Sequence, residues 1–137
     1  MKLVGYDDTL ETPIFITPWS LIHFLTGLTL FFMCRVFTQN IYIIVFIILG
    51  IHSIYEFKDY YSTYINQIRF KKDTYLSSFF KNNTLENTIG DTVVCMLGII
   101  IAYILLKYTR YTNQSLLQIS SIITFTFFIM FVTIQNN

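Results

Sequence analysis

Four long apolar runs dominate the sequence, and they restrict the fold more than any other feature. The runs cover about residues 18–37, 41–57, 84–108 and 115–134. A helix needs about 20 mostly apolar residues to cross a bilayer, and each run is close to that length. None of the runs alternates polar and apolar residues as the strands of a membrane barrel do. The runs therefore predict an all-α integral membrane bundle of four transmembrane helices, forming a single domain over residues 1–137.

Composition agrees with a membrane protein and excludes several other classes. The chain is 54% hydrophobic and only 12% charged, whereas a soluble domain carries about 25% charged residues. A net charge of +1 gives no acidic or basic balance that would point to nucleic acid. Cys34 and Cys95 have no paired spacing and lie within apolar runs, so both are interpreted as buried thiols. The sequence contains no serine-hydrolase, phosphate-loop or zinc-protease motif.

The connections between the runs differ in length. Residues 38–40 and 109–113 are short connections, so the helices that they join are predicted to be antiparallel. The connection 58–82 is long and mixes Lys and Arg with Tyr and Phe. That mixture is typical of a segment lying in the headgroup region of a membrane, between the second and third helices. A solvated loop with anchoring aromatic side chains is the alternative interpretation.

The distribution of positive charge predicts the orientation of the bundle. With four spans, both termini and the 58–82 connection lie on the same side of the membrane. Most of the Lys and Arg residues fall on that side: Lys2, Lys58, Arg69, Lys71, Lys72 and Lys81. Because cytoplasmic loops are enriched in Lys and Arg, we expect a multi-pass integral membrane protein with both termini in the cytoplasm.

Polar side chains from three of the runs fall at the same end of the predicted bundle. They are His23, His52, Glu56, Asp59, Asn87 and Asp91. His52, Glu56 and Asp59 are spaced as i, i+4 and i+7, so they share one face of a helix. A charge at mid-bilayer costs at least about 2.5–3.5 kcal/mol, so such residues usually pair or line a wet cavity. The shared depth predicts one cavity lined by Glu56, Asp91, His23 and His52.

Two functions of different classes are compatible with this cluster. In the first, the site binds or processes a lipid or isoprenoid head group at one leaflet. Its predicted catalytic residues are Glu56, Asp91, His23 and His52, with Asn87 in support. A divalent metal ion is the candidate cofactor, and its predicted ligands are Glu56, Asp59, Asp91 and His52. In the second, the chain is a structural or partner-binding membrane protein, for example of an envelope, and the cluster only fixes helix packing.

Three stretches resemble the VanZ-like family of small polytopic membrane proteins. They are "TPWSLIHFLTGLTLFF", "LGIHSIYEF" and "LENTIGDTVVCMLGIIIAY". On this resemblance, the positions that match the polar and small residues of the family are His23, Glu56, Asn87, Gly90 and Gly98. The Asp-Lys pair that precedes the first histidine in the family is replaced here by Pro18 and Trp19. The resemblance implies a small polytopic membrane protein of a family best known through glycopeptide-antibiotic resistance.

Overall fold

The structure, a computed structural model, describes residues 2–5, 13–65 and 84–135. Two short strands precede four helices in this part of the chain. The strands are β1 (Lys2–Val4) and β2 (Ile14–Ile16), and the helices are α1 (Ser20–Cys34), α2 (Ile41–Ile65), α3 (Leu85–Tyr108) and α4 (Asn113–Gln135). The predicted helical class is therefore confirmed, with the addition of a strand pair.

Three of the helices are long and apolar enough to cross a membrane. Their apolar segments are Ile41–Asp59, Leu85–Tyr108 and Asn113–Ile134. The first predicted span, 18–37, is helical only over the 15 residues of α1. At 1.5 Å per residue α1 is about 22 Å long, which is shorter than the roughly 30 Å of a bilayer core. These lengths are compatible with a multi-pass integral membrane protein.

Helix α1 lies at the centre of the bundle and packs most extensively against α3. Glycines bring these two helices together. A Cβ atom on Gly27 would collide with the backbone carbonyl of Cys95, and one on Gly98 would collide with the carbonyl of Phe24. The apolar core around this contact consists of Leu28, Phe31, Phe32, Cys34, Ile44, Ile48, Cys95, Ile99, Ala102 and Leu116. Both cysteines are free and buried, which confirms their interpretation from the sequence.

Polar side chains attach α4 to α1. The hydroxyl oxygen of Thr124 lies 2.9 Å from that of Thr29 and 3.3 Å from the carbonyl oxygen of Leu25. At the start of α4, the Asn113 side-chain amide donates to the carbonyl of Phe32 at 3.0 Å. Such interhelical hydrogen bonds hold helices together in a membrane, where burial of apolar surface cannot.

The strands pair in parallel, and β2 packs against the start of α3. Ile14 of β2 is buried, and the carbonyl of Phe15 lies so close to Gly90 that a Cβ atom would have no room there. Neither strand was predicted from the sequence, since three residues are too few to show a period of two.

The end of α2 and the start of α3 border the long connection between them. Helix α2 continues to Ile65, eight residues past the predicted end at 57, so residues 58–65 of the predicted interfacial connection are helical. The remainder of that connection, 66–82, lies outside the described residues. Helix α3 begins after Thr84, whose hydroxyl accepts a hydrogen bond from the backbone N–H of Asn87 at 3.2 Å. This contact satisfies one of the free N–H groups of the first turn.

Candidate functional site

His23 is the centre of the polar cluster. Its Nδ1 atom lies 3.3 Å from Glu56 Oε1, and its Nε2 atom lies 3.5 Å from Asp91 Oδ2. The two carboxylates come from α2 and α3, so one side chain of α1 contacts an acid on each of two other helices. The His23 side chain is 14% exposed and each carboxylate only 3%. A ring with an acid at each nitrogen can accept a proton on one side and release one on the other.

The helix directions explain why these three residues meet. His23 lies in the first turn of α1, and Asp91 lies in the second turn of α3. Glu56 lies near the end of the apolar segment of α2. Because α1 and α3 begin at the end of the bundle where this segment finishes, the three side chains share one depth.

His52 joins the cluster from α2, one turn before Glu56. Its Nε2 atom lies 3.9 Å from Glu56 Oε1 and 3.1 Å from the Thr92 hydroxyl oxygen. Thr92 donates its single hydroxyl proton to the carbonyl of Thr88 at 2.8 Å. The Thr92 oxygen can therefore accept a hydrogen bond from His52 Nε2 when the ring is in the tautomer that carries its proton on that nitrogen. The rings of His52 and His23 meet edge to face, with their centroids 5.2 Å apart.

Ser20 fixes the carboxylate of Asp91. Its hydroxyl donates to Asp91 Oδ1, and its oxygen accepts from the backbone N–H of Thr17 at 3.0 Å. The other carboxylate oxygen, Oδ2, is left facing His23. Ser20 and Thr92 were not predicted as site residues from the sequence. Ser20 could have been found, because it lies three residues before His23 and so shares its helix face.

Tyr55 connects the cluster to a charged pair at the end of the α2 apolar segment. Its ring lies 6.2 Å from the His23 ring, centroid to centroid. The Lys58 Nζ atom lies 4.1 Å from the centre of the Tyr55 ring and 3.0 Å from Asp59 Oδ1. Asp59 was predicted as a metal ligand. In the structure it lies about one turn beyond Glu56 and contacts Lys58.

Asn87 lies one turn before Asp91 on the same face of α3. It is buried, with 6% of its surface exposed. Within the described residues its side-chain nitrogen Nδ2 has no hydrogen-bond partner. A buried amide donor without a partner is unfavourable by about 1–3 kcal/mol. The Asn87 side chain is therefore an available hydrogen-bond donor one helical turn from Asp91.

Three side chains of the cluster are arranged so that they could hold a metal ion. They are His23, His52 and Glu56, and one ligand atom from each lies within 4.8 Å of the others. This set differs from the one predicted from the sequence. Asp91 faces the opposite nitrogen of the His23 ring, and Asp59 pairs with Lys58. His23, which was predicted only as a catalytic residue, takes their place.

Comparison with protein-family models, curated proteins and solved structures found no match to this chain. The similarity to VanZ-like proteins therefore stays a prediction from the sequence. Any function has to follow from the geometry of the cluster and from the membrane character of the helices.

Proposed function

We propose that this protein is a multi-pass membrane protein of four spanning helices that binds and processes the polar head group of a lipid or isoprenoid. The observation that carries the proposal is the position of His23, whose two ring nitrogens face the carboxylates of Glu56 and Asp91. Ionisable residues within membrane helices are costly, and they usually mark functional sites. Three of them in contact, each from a different helix, form a site with proton-transfer groups already in position.

The depth of the cluster suits a head group. His23 lies three residues into α1, Asp91 six residues into α3, and Glu56 three residues before the end of the α2 apolar segment. At 1.5 Å per residue, all three are within about 9 Å of the same end of the bundle. With four spans and both termini in the cytoplasm, as the Lys and Arg distribution favours, this end belongs to the cytoplasmic leaflet.

The surroundings of the cluster supply groups that would recognise an anionic head group. Lys58 lies at the end of the α2 segment, with 47% of its side chain exposed. The buried amide nitrogen of Asn87 would donate to an oxygen atom of the ligand. Glu56 or Asp91 would act as general base, and His23 would carry the proton between them. His52, oriented by Thr92, would serve as a second proton carrier or as a ligand of a divalent ion.

A structural role is the second candidate, and a specific observation favours it. Ser20 and His23 of α1 both contact Asp91 of α3, and His23 also contacts Glu56 of α2. The same side chains therefore fix the rotation and depth of three helices against one another. In that case the cluster would stabilise the bundle, or prepare its surface for a protein partner, without binding a head group.

Isosteric replacement of the carboxylates separates the two roles. Glu56→Gln and Asp91→Asn remove the charge at constant size, and Glu86→Gln is the control. Glu86 also lies at the start of α3, and no contact joins it to the cluster among the described residues. Binding of geranylgeranyl phosphate and of phosphatidylglycerol to the purified protein would be measured by native mass spectrometry, with thermal unfolding in parallel.

A head-group site predicts that Glu56→Gln and Asp91→Asn bind at least tenfold more weakly while their melting temperatures stay near that of the control. A structural cluster predicts the reverse, with lower melting temperatures and no change in binding per folded molecule. A wild-type protein that binds neither lipid would overturn the proposed function.

A further inference from the structure

We infer that His23, His52 and Glu56 form an open site for a divalent transition-metal ion such as zinc, with Asp91 as the carboxylate that orients His23. The inference rests on the proposed function because it names the cofactor of the same site. It also assigns different roles to the two carboxylates, which their charge and their depth in the bundle do not by themselves imply. One carboxylate binds the ion, and the other holds a histidine that binds it.

The distances between the three ligand groups fit a tetrahedral ion. Zinc lies about 2.0–2.2 Å from nitrogen and oxygen ligands, so neighbouring ligand atoms in a tetrahedral site are about 3.3–3.6 Å apart. His23 Nδ1 and Glu56 Oε1 already lie 3.3 Å apart. His52 Nε2 lies 3.9 Å from Glu56 Oε1, and one ligand atom from each of the three residues falls within 4.8 Å of the others. These separations exceed those of a tetrahedral zinc site by at most about 1.5 Å, so a small side-chain rotation would complete the set.

Asp91 occupies the position of an orienting carboxylate. A zinc-bound histidine almost always donates its other ring N–H to a carboxylate, a carbonyl or water, which fixes the ring orientation. His23 presents Nδ1 to Glu56 and Nε2 to Asp91 Oδ2. The lone pairs of the two nitrogens diverge, so an ion bound to Nδ1 would be out of reach of the oxygen that faces Nε2. The Ser20 hydroxyl donates to Oδ1 of the same carboxylate and so helps to hold Asp91 in the position that orients His23.

The other histidine has support of its own. His52 Nε2 is the ring nitrogen near Glu56, and it lies 3.1 Å from the hydroxyl oxygen of Thr92. An ion would bind Nε2 in the neutral tautomer whose proton is on Nδ1, so that a proton on Nε2 would move to Nδ1 when the ion binds. Thr92 therefore keeps the ring at the depth of Glu56 before the ion arrives.

The donor set selects the chemical class of the ion. Imidazole nitrogen suits zinc, copper, iron and nickel, whereas calcium and magnesium prefer oxygen ligands throughout. Two imidazoles and one carboxylate leave one tetrahedral position open. Such three-ligand sites are typical of catalytic rather than structural zinc, because water or substrate takes the fourth position. An oxygen atom of the head group is the ligand that the proposed function would place there.

Metal binding is tested on the full-length protein in detergent, without any lipid ligand. The protein is stripped with a chelator, equilibrated with zinc chloride, and analysed for bound metal by mass spectrometry. Cobalt chloride then reports the coordination geometry through its visible spectrum. We expect one zinc per wild-type chain and a tetrahedral cobalt spectrum.

The variants distinguish ligands from the orienting residue. His23→Gln and Glu56→Gln should lose stoichiometric zinc, whereas Asp91→Asn should keep the stoichiometry with an affinity about 10–100-fold lower. Asp59→Asn and Glu86→Gln are controls that should bind zinc like the wild type. A zinc-dependent rise in melting temperature, measured on every folded variant, keeps the test valid if a ligand variant is poorly stable.

Several results would overturn the inference. They are an absence of zinc in the wild type, equal zinc in wild type and Glu56→Gln, a preference for calcium or magnesium, or loss of zinc in Asp59→Asn. Zinc binding without lipid binding would instead remove the proposed function and leave the metal site. Lipid binding by zinc-free protein, with no zinc uptake, would remove the metal site and leave the function.

Discussion

Thr92 shows how a polar side chain in a membrane helix can serve two partners at once. Its hydroxyl donates to the carbonyl of Thr88, as threonines in helices often do, and its oxygen remains available to accept from His52. The second interaction joins α3 to α2 beside Glu56. The Thr92 hydroxyl therefore belongs to the polar cluster as well as to its own helix.

Replacing Thr92 with valine should therefore destabilise the protein more than the same change elsewhere. Thr92→Val leaves His52 Nε2 without its hydrogen-bond partner on α3, and we expect a loss of about 1 kcal/mol in the free energy of unfolding. Thr126→Val is the matched control, because Thr126 makes the same 2.8 Å bond to its own helix, at Ile122, on an exposed face. Unfolding in detergent, followed by circular dichroism, measures both. Equal losses would show that His52 does not depend on Thr92.

At the scale of whole helices, the contact between α1 and α3 decides the arrangement of the site. The two helices approach closely at Gly27 and Gly98, where the partner backbone occupies the space of a side chain. Without an apolar driving force between helices in lipid, such close packing is a principal source of their association. The approach also sets the distance from His23 to Asp91, since the two residues lie on these helices.

Gly98→Ala should consequently separate α1 from α3. The added methyl group meets the backbone carbonyl of Phe24, which cannot rotate away, and overpacking of this kind costs about 1–3 kcal/mol. Gly50→Ala is the control, since nothing lies within 4 Å of a Cβ atom at Gly50. Thermal unfolding of the two variants in the same detergent gives the comparison. A Gly98→Ala protein as stable as Gly50→Ala would show that the helices are not in such close contact.

For the molecule as a whole, the length of α1 bears directly on the proposed number of spans. Its 15 residues are short for a span, whereas α2, α3 and α4 contain segments of 19, 24 and 22 residues. The non-helical residues at each end of α1, in 17–19 and 35–37, would lengthen it to about the 20 residues that a span requires. A re-entrant α1 would instead leave three spans and place the two ends of α1 on the same side.

Labelling of single cysteines tests the four-span topology. Lys2→Cys and Gln39→Cys introduce thiols at exposed positions before and after α1, and the native cysteines are buried. We expect a membrane-impermeant maleimide to label position 39 in intact cells and position 2 only after permeabilisation. Unmodified protein provides the background. Labelling of both positions in intact cells, or of both only after permeabilisation, would show that α1 does not span, and the reverse pattern would invert the predicted orientation.

The sequence by itself determined where the helices lie and which residues share a depth. Hydrophobic runs are a property of consecutive residues, so α2, α3 and α4 and the depths of His23, Glu56 and Asp91 could be predicted from them. The i, i+4 spacing also predicted that His52 and Glu56 share a face. Helices that are neighbours in the sequence usually pack together, so these side chains were expected to meet at one end of the bundle. The structure does bring them together.

Only the tertiary structure decided which atoms meet within the polar cluster. A helical repeat gives a face, but the rotation of each helix about its axis depends on packing such as that at Gly27 and Gly98. That rotation directs Glu56 and Asp91 to opposite nitrogens of His23, whereas the sequence predicted both as ligands of one ion. Pairing of Asp59 with Lys58, support from Ser20 and Thr92, and the short strands depend on contacts between distant segments. Spacing along a single chain carries no information about such contacts, because they form only when the helices pack.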